Sequence, residues 1–136
     1  MKVKNLKRLF CVLMAVAILA SGMTVAAADI PTPYYDATAR ITASLSISTS
    51  GLASCSGAIT LSDSSCSASL TMKLQQYTSS GWSTIETWST SNSTRLSKTR
   101  YVTSGYYYRV VTSANVYNSS GKYVESPSAT STSKYY

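Results

Sequence analysis

The residues of this chain that can take part in chemistry are mainly tyrosines and arginines. The stretch "SGYYYRVV", residues 104–111, places three tyrosines directly before Arg109. A tyrosine ring offers a flat apolar face and a hydroxyl group, and this combination suits sugar rings and protein partners alike. Tyr is also a good strand former, so the same residues can instead fill the core or an edge of a sheet.

Enzyme chemistry has few candidate residues in this sequence. The 136 residues include no histidine, which removes the commonest general base and the usual metal ligand. The five acidic residues do not cluster as a calcium loop would require, and a glycosidase pair would have to come from Glu86 and Glu125. We therefore predict a protein that is not an enzyme and that has no cofactor and no metal.

The N-terminal segment predicts export from the cell. Four cations in "MKVKNLKR" precede the apolar run "LFCVLMAVAILA", and small residues follow as far as Ala28. This order is typical of a secretory signal peptide, here residues 1–28, with cleavage between Ala28 and Asp29. The alternative is an uncleaved membrane anchor, but the second half of the segment is only weakly apolar. We expect a secreted, extracellular protein that meets the membrane only transiently through its signal peptide.

Removal of the signal peptide also changes the charge of the chain. Residues 29–136 number 108, enough for one domain. They keep eight of the twelve Lys and Arg residues against five carboxylates, a net charge of +3. So small a charge argues against nucleic acid as a partner and against the alternative of a cationic antimicrobial or toxin-like factor. We expect a monomer whose partner is an extracellular protein or a glycan.

Cys55 and Cys66 remain after cleavage, and an even pair of cysteines in an exported protein favours a disulfide. If "SDSS", residues 62–65, forms a tight hairpin turn, Cys55 lies about 17–20 Å down the strand from the residue opposite Cys66. A disulfide requires Cα atoms within about 7 Å. The tight hairpin and the bond therefore exclude each other: either the two cysteines are bonded across a loop or both are small core residues.

The elements that must position these residues are β-strands. Apolar residues alternate with Ser and Thr in "RITASLSIS", "LASCSGAITL" and "CSASLTMKLQQY", a period of two that indicates half-buried strands. Turn residues recur about every 8–12 positions. The pattern predicts an all-β fold, a single immunoglobulin-like antiparallel β-sandwich of about seven strands over residues 39–136, after an extended leader over residues 29–38. An open barrel is the alternative.

Strand alternation divides the tyrosine-rich stretch between two faces. In an immunoglobulin-like order the strand ending at Tyr77 and the strand starting at Tyr106 are neighbours. Tyr106 and Tyr108 then point inward, and Tyr108 has the spacing of a tyrosine corner, whose hydroxyl ties a loop to the sandwich. The outward residues of both strands form a candidate binding surface for a glycan or a protein, against the alternative of an ordinary solvated face. Its members are Lys73, Gln75, Tyr77, Tyr107 and Arg109.

Trp82 and Trp88 offer a second candidate surface. They are six residues apart and so lie on the same side of an ideal strand. If both are exposed, they form the aromatic platform of a carbohydrate-binding module. If a bulge intervenes, one packs inside as the large aromatic residue that a small sandwich needs, and the other covers an edge.

Several of these segments also carry a resemblance to a known group of proteins. "SLSISTSGLASCSG", "MKLQQYTSSGWSTIETW", "GYYYRVV" and "GKYVES" follow one another in this chain. In this order they resemble the small secreted β-sandwich proteins of Gram-positive, clostridial-type bacteria, over roughly residues 31–136. The resemblance implies a secreted bacterial origin and an immunoglobulin-like sandwich of uncharacterised function. It implies no catalytic residues.

Overall fold

The computed structural model describes residues 36–136. The predicted signal peptide, its cleavage site between Ala28 and Asp29, and the leader as far as residue 35 lie outside the described residues. The described part contains strands and turns and no helix. Six long strands and three short ones follow in chain order: β1 (Thr38–Ile47), β2 (Leu52–Leu61), β3 (Ser67–Thr78), β4 (Gly81–Thr90), β5 (Arg95–Tyr101), β6 (Tyr107–Tyr117), β7 (Tyr123–Glu125), β8 (Ser128–Thr130) and β9 (Lys134–Tyr135).

The strands form two antiparallel sheets, which confirms the all-β prediction. One sheet has the order β1-β2-β5, and the other has the order β4-β3-β6-β7. The short strands β8 and β9 also pair with β6, so the segment after Pro127 continues this edge as two broken pieces. Residues 36–136 form nine strands rather than the predicted seven. Six of them are long, and the last three, β7, β8 and β9, are only two or three residues each.

The core lies between the two sheets and follows the predicted alternation. On β3 the residues Ala68, Leu70, Met72 and Leu74 are buried, and every second residue of β6 from Tyr108 to Val116 is buried against them. The facing sheet contributes smaller residues from β2, including Ala53 and Cys55. Large side chains of one sheet therefore meet small side chains of the other, which lets the two layers interdigitate.

The segment of residues 62–65 turns the chain, but it does not close a hairpin. Ser65 N donates to Asp63 Oδ1 at 2.8 Å, and Cys66 N donates to Asp63 O at 3.1 Å. These bonds are the local backbone contacts expected of Asp in a turn. However, β2 pairs with β1 and β5, whereas β3 pairs with β4 and β6. The turn therefore carries the chain from one sheet to the other, and Cys66 has no partner position on β2.

Tyr108 ties the loop before β6 to the core. Its side chain is fully buried, its hydroxyl donates to Thr103 O at 2.5 Å, and Gln76 Nε2 donates to the same hydroxyl at 3.1 Å. The hydroxyl therefore bonds to the backbone of the preceding loop, as the sequence predicted for this residue. The carbonyl of Thr103 and the half-buried amide of Gln76 both bond to this one buried hydroxyl, so removal of that oxygen takes a hydrogen bond from each of them.

Gly57 lies where β2 of one sheet closely approaches β6 of the other. A Cβ built at this position would lie 2.6 Å from Thr112 Cγ2 and would also overlap Thr112 Oγ1. Thr112 is itself fully buried, so it has no free space into which it can move. Any larger residue at position 57 must push β2 away from β6.

We expect Gly57→Ala to lower the free energy of unfolding by about 1–3 kcal/mol, because the added methyl group overpacks the core. Urea denaturation followed by fluorescence measures this change. Ser54→Ala, an exposed position on the same strand, is the matched control and should change stability little. The double variant Gly57→Ala/Thr112→Ala should recover part of the loss relative to the sum of the single changes. A Gly57→Ala protein as stable as wild type would contradict the close approach.

We expect Tyr108→Phe to lower the free energy of unfolding by about 1–2 kcal/mol, because it removes one buried hydroxyl that makes two hydrogen bonds. Tyr107→Phe removes a hydroxyl from the adjacent residue, which is 51% exposed, and should leave stability unchanged. Equal denaturation midpoints for the two variants would show that the Tyr108 hydroxyl does not hold the loop.

Candidate functional site

The register of β3 and β6 brings the five predicted surface residues together. Gln75 lies opposite Arg109, and Lys73 lies opposite Val111. Opposite residues share a face of the sheet, and their neighbours Leu74 and Val110 are buried on the inner face. Lys73, Gln75 and Arg109 therefore lie on the outer face. Tyr77 and Tyr107 are each two residues from Gln75 and Arg109 in their strands, so they lie on the same face. Their role in binding stays a prediction.

Two side chains hold Arg109 in a fixed orientation. Its Nε donates to Gln75 Oε1 at 2.8 Å, and Gln75 Nε2 in turn donates to Thr84 Oγ1 at 3.2 Å. Arg109 Cζ lies 4.2 Å from the centre of the Trp82 ring. A guanidinium group stacked on an indole face is stabilised by the ring quadrupole. The Arg109 side chain therefore extends from β6 across β3 to Trp82 on β4, and its Nε is held by the Gln75 amide.

A β-bulge decides the position of Trp82. Trp88 lies opposite the buried Met72 and packs against the core, whereas Trp82 lies opposite the exposed Tyr77. The register shifts near Ile85, where β4 has one residue more than β3. Such an extra residue reverses the alternation of the strand. The two tryptophans therefore face opposite sides of the sheet and do not form the common platform that an unbroken strand would give them.

Four aromatic side chains form a row across the outer face, one on each of four neighbouring strands. We call Trp82, Tyr77, Tyr107 and Tyr135 the aromatic row; they belong to β4, β3, β6 and β9. The ring centres of Tyr77 and Trp82 are 5.1 Å apart, and those of Tyr107 and Tyr135 are 5.0 Å apart. The three tyrosines are 50%, 51% and 63% exposed, in the order Tyr77, Tyr107, Tyr135. Their rings are therefore open to a ligand.

Tyr135 was not among the predicted surface residues, and Tyr106 does not lie where its alternation predicts. Tyr135 joins the row because β9 pairs with the start of β6, with Tyr135 opposite Tyr107. Tyr106 is 41% exposed rather than inward. The reason is that β6 begins only at Tyr107, and Tyr106 is held instead by backbone hydrogen bonds to Tyr136.

The outer face carries cations without carboxylates. Of the acidic residues in the described range, Glu86 lies opposite the buried Leu74, and Glu125 lies opposite the buried Val116. Asp36 precedes β1, and Asp63 lies in the turn between the sheets. The ion pair found within residues 36–136 joins Arg100 Nη1 to Glu86 Oε2 at 2.7 Å, away from this face. Within this range Arg109 therefore has no carboxylate partner.

The two acids considered for a glycosidase pair lie far apart in the larger sheet. Glu86 and Glu125 lie on β4 and β7, the two ends of the order β4-β3-β6-β7. Three strand spacings of about 4.8 Å separate these strands, so the two carboxylates do not face each other across one cleft. Residues 36–136 also contain no group of three or more His, Cys, Asp or Glu side chains that could hold a metal ion.

Both described cysteines are free thiols. Cys55 is buried on β2, between Leu45 on β1 and Lys98 on β5, and Cys66 lies half-buried just before β3. Burial raises the pKa of the Cys55 thiol to about 11, so it stays protonated at neutral pH. Cys55 belongs to the core, and the half-buried Cys66 packs against it.

Comparison with protein-family models, curated proteins and solved structures finds no match to this chain. The resemblance to secreted clostridial-type proteins therefore stays a prediction from the sequence. The described range also lacks any helix that is both long and apolar enough to cross a membrane.

We expect a thiol reagent at pH 8 to label Cys66 in the native protein but not Cys55, because Cys55 is buried and protonated. Peptide mass mapping after brief labelling identifies the modified residue. Cys66→Ala is the control and should remove the labelled peptide, and full labelling of Cys55 should require denaturant. Absence of labelling at both residues, with a mass lower by two hydrogens, would show a disulfide instead.

Proposed function

We propose that this protein is a secreted bacterial binding domain without catalytic activity, and that it binds its partner through the outer face of the sheet β4-β3-β6. The main support is Arg109, a cation that is held by Gln75 and Trp82, lacks a carboxylate partner in the described residues, and lies among exposed tyrosines. Fixed cations beside aromatic rings are enriched at recognition surfaces. The secreted and Gram-positive origin rests on the signal-peptide pattern and the sequence resemblance.

We further propose an immunoglobulin-like topology for the domain. The orders β1-β2-β5 and β4-β3-β6-β7 correspond to the A-B-E and C′-C-F-G strands of that architecture. The hydroxyl of Tyr108, near the start of the F-like strand, bonds back to Thr103, as a tyrosine corner does. Fold alone carries no function, so the functional proposal depends on the face and not on the topology.

A binding role also fits the rigidity of the face. Its residues lie on paired strands rather than on loops, and the Thr84–Gln75–Arg109 chain of hydrogen bonds fixes its central side chains. Less side-chain entropy is lost on binding when the groups are already ordered. The face is therefore preorganised for a ligand.

The proposal is tested by a double variant that removes the face and by a matched variant on the opposite sheet. Binding of the purified protein is measured on a glycan array and an array of extracellular proteins. We expect Tyr107→Ala/Arg109→Ala to lose at least about tenfold in affinity for the captured ligand, because stacking and a charge-assisted bond are lost together.

Tyr101→Ala/Arg95→Ala removes the same two residue types from the outer face of the sheet β1-β2-β5 and should bind like wild type. Urea denaturation of both double variants establishes that each is folded. Equal affinity of the two variants for every captured ligand would place binding elsewhere and refute the proposal.

A further inference from the structure

The unpaired charge of Arg109 indicates the chemistry of the ligand. Nε of its guanidinium is bound to Gln75, and the remaining two amino groups have no hydrogen-bond partner within residues 36–136. These two groups form the fork that binds a carboxylate through two parallel hydrogen bonds. Lys73, exposed two residues from Gln75 on β3, adds a second positive charge. A ligand complementary to this face is therefore anionic.

The other groups on the face favour a sugar over a peptide. Among the outward positions of β3, β4 and β6 the single aliphatic side chain is the half-buried Val111, and most of the others are Ser, Thr, Asn, Gln or Tyr. The centre of a protein interface requires apolar anchors that become fully buried. Hydroxyl and amide groups beside open aromatic rings instead suit the hydroxyls and the ring faces of a sugar.

The aromatic row gives the face an extended shape. It crosses four neighbouring strands, about 14 Å at about 4.8 Å for each strand spacing. Arg109 lies two residues from Tyr107 on β6 and reaches over β3 toward Trp82. The cation thus lies over Trp82 at one end of the row, and Tyr77, Tyr107 and Tyr135 follow from it in strand order. A chain of several sugars can stack on the tyrosines while one acidic group reaches Arg109.

The class of ligand follows from these features if the face binds as proposed above. We propose that the ligand is a carboxylated glycan, a polymer of acidic sugars. One of its carboxylates binds Arg109, and its rings stack on Tyr77, Tyr107 and Tyr135. The interaction is reversible and involves no bond making. Its affinity falls as salt is raised, because the pairing takes place on an exposed sheet face.

Isothermal titration of the purified protein with oligogalacturonate, a carboxylated sugar oligomer, tests this inference. The methyl ester of the same oligomer keeps the rings and removes the charge, and poly-glutamate keeps the carboxylates and removes the rings. We expect binding to oligogalacturonate that weakens with salt, and affinities at least about tenfold lower for both comparison ligands.

Single variants separate the two parts of the site. Arg109→Gln should abolish the preference for the acid over its ester, and Arg109→Lys should keep part of it, because a lysine retains the charge without the fork. Tyr107→Ala should lower the affinity for the acid and for its methyl ester by a similar factor. The controls Arg95→Gln and Tyr101→Ala, on the other sheet, should bind like wild type.

Three outcomes would overturn the inference. Equal binding of the ester would show that the charge of Arg109 is not used, and equal or tighter binding of poly-glutamate would indicate an acidic peptide. No binding of oligogalacturonate would also refute it. The array experiment separates this inference from the proposed function. If Tyr107→Ala/Arg109→Ala still loses binding to the ligand captured on the array, any of these three outcomes refutes only the ligand class and not the binding function of the face.

Discussion

The close approach of β2 to β6 is the constraint on which the rest of the structure depends. Thr112 lies directly against the backbone of Gly57, and a single added methyl group would overlap it. The small residues Ala53 and Cys55 continue the same inner face of β2. Because β6 carries β3 on one side and β7, β8 and β9 on the other, a shift at this contact would displace the whole larger sheet.

The packing of the inner face determines which side chains lie on the outer face. Side chains alternate strictly along paired strands, so the burial of Leu74 and Val110 forces Gln75 and Arg109 outward. The bulge at Ile85 then turns Trp82 to the same side, under the guanidinium of Arg109. The carbonyl of Ile85 accepts a hydrogen bond from Arg100 of β5. An otherwise unpaired edge group is thereby satisfied, and the two sheets are joined at their margin.

Hydroxyl groups cover much of the remaining sheet surface, and this affects the electrostatics. Ser44 and Ser56 share a hydrogen bond at 2.6 Å on one sheet, and Thr71 and Ser89 share one at 3.2 Å on the other. Such pairs give a polar surface without charge. On a surface with so few charges, Lys73 and Arg109 dominate the local potential of the outer face, because no acidic side chain of residues 36–136 lies beside them.

The sequence by itself determined the strands, most of the turns and the inward or outward direction of most side chains, because these follow from a local period of two. It also predicted the tyrosine corner at Tyr108 and the grouping of Gln75 with Arg109. Tertiary structure alone decided that the turn at residues 62–65 crosses between sheets, that a bulge separates Trp82 from Trp88, and that β9 places Tyr135 beside Tyr107. Each of these depends on partners distant in sequence. The energy of a bulge, a sheet crossing or a two-residue strand comes from the strand it meets and not from its own residues.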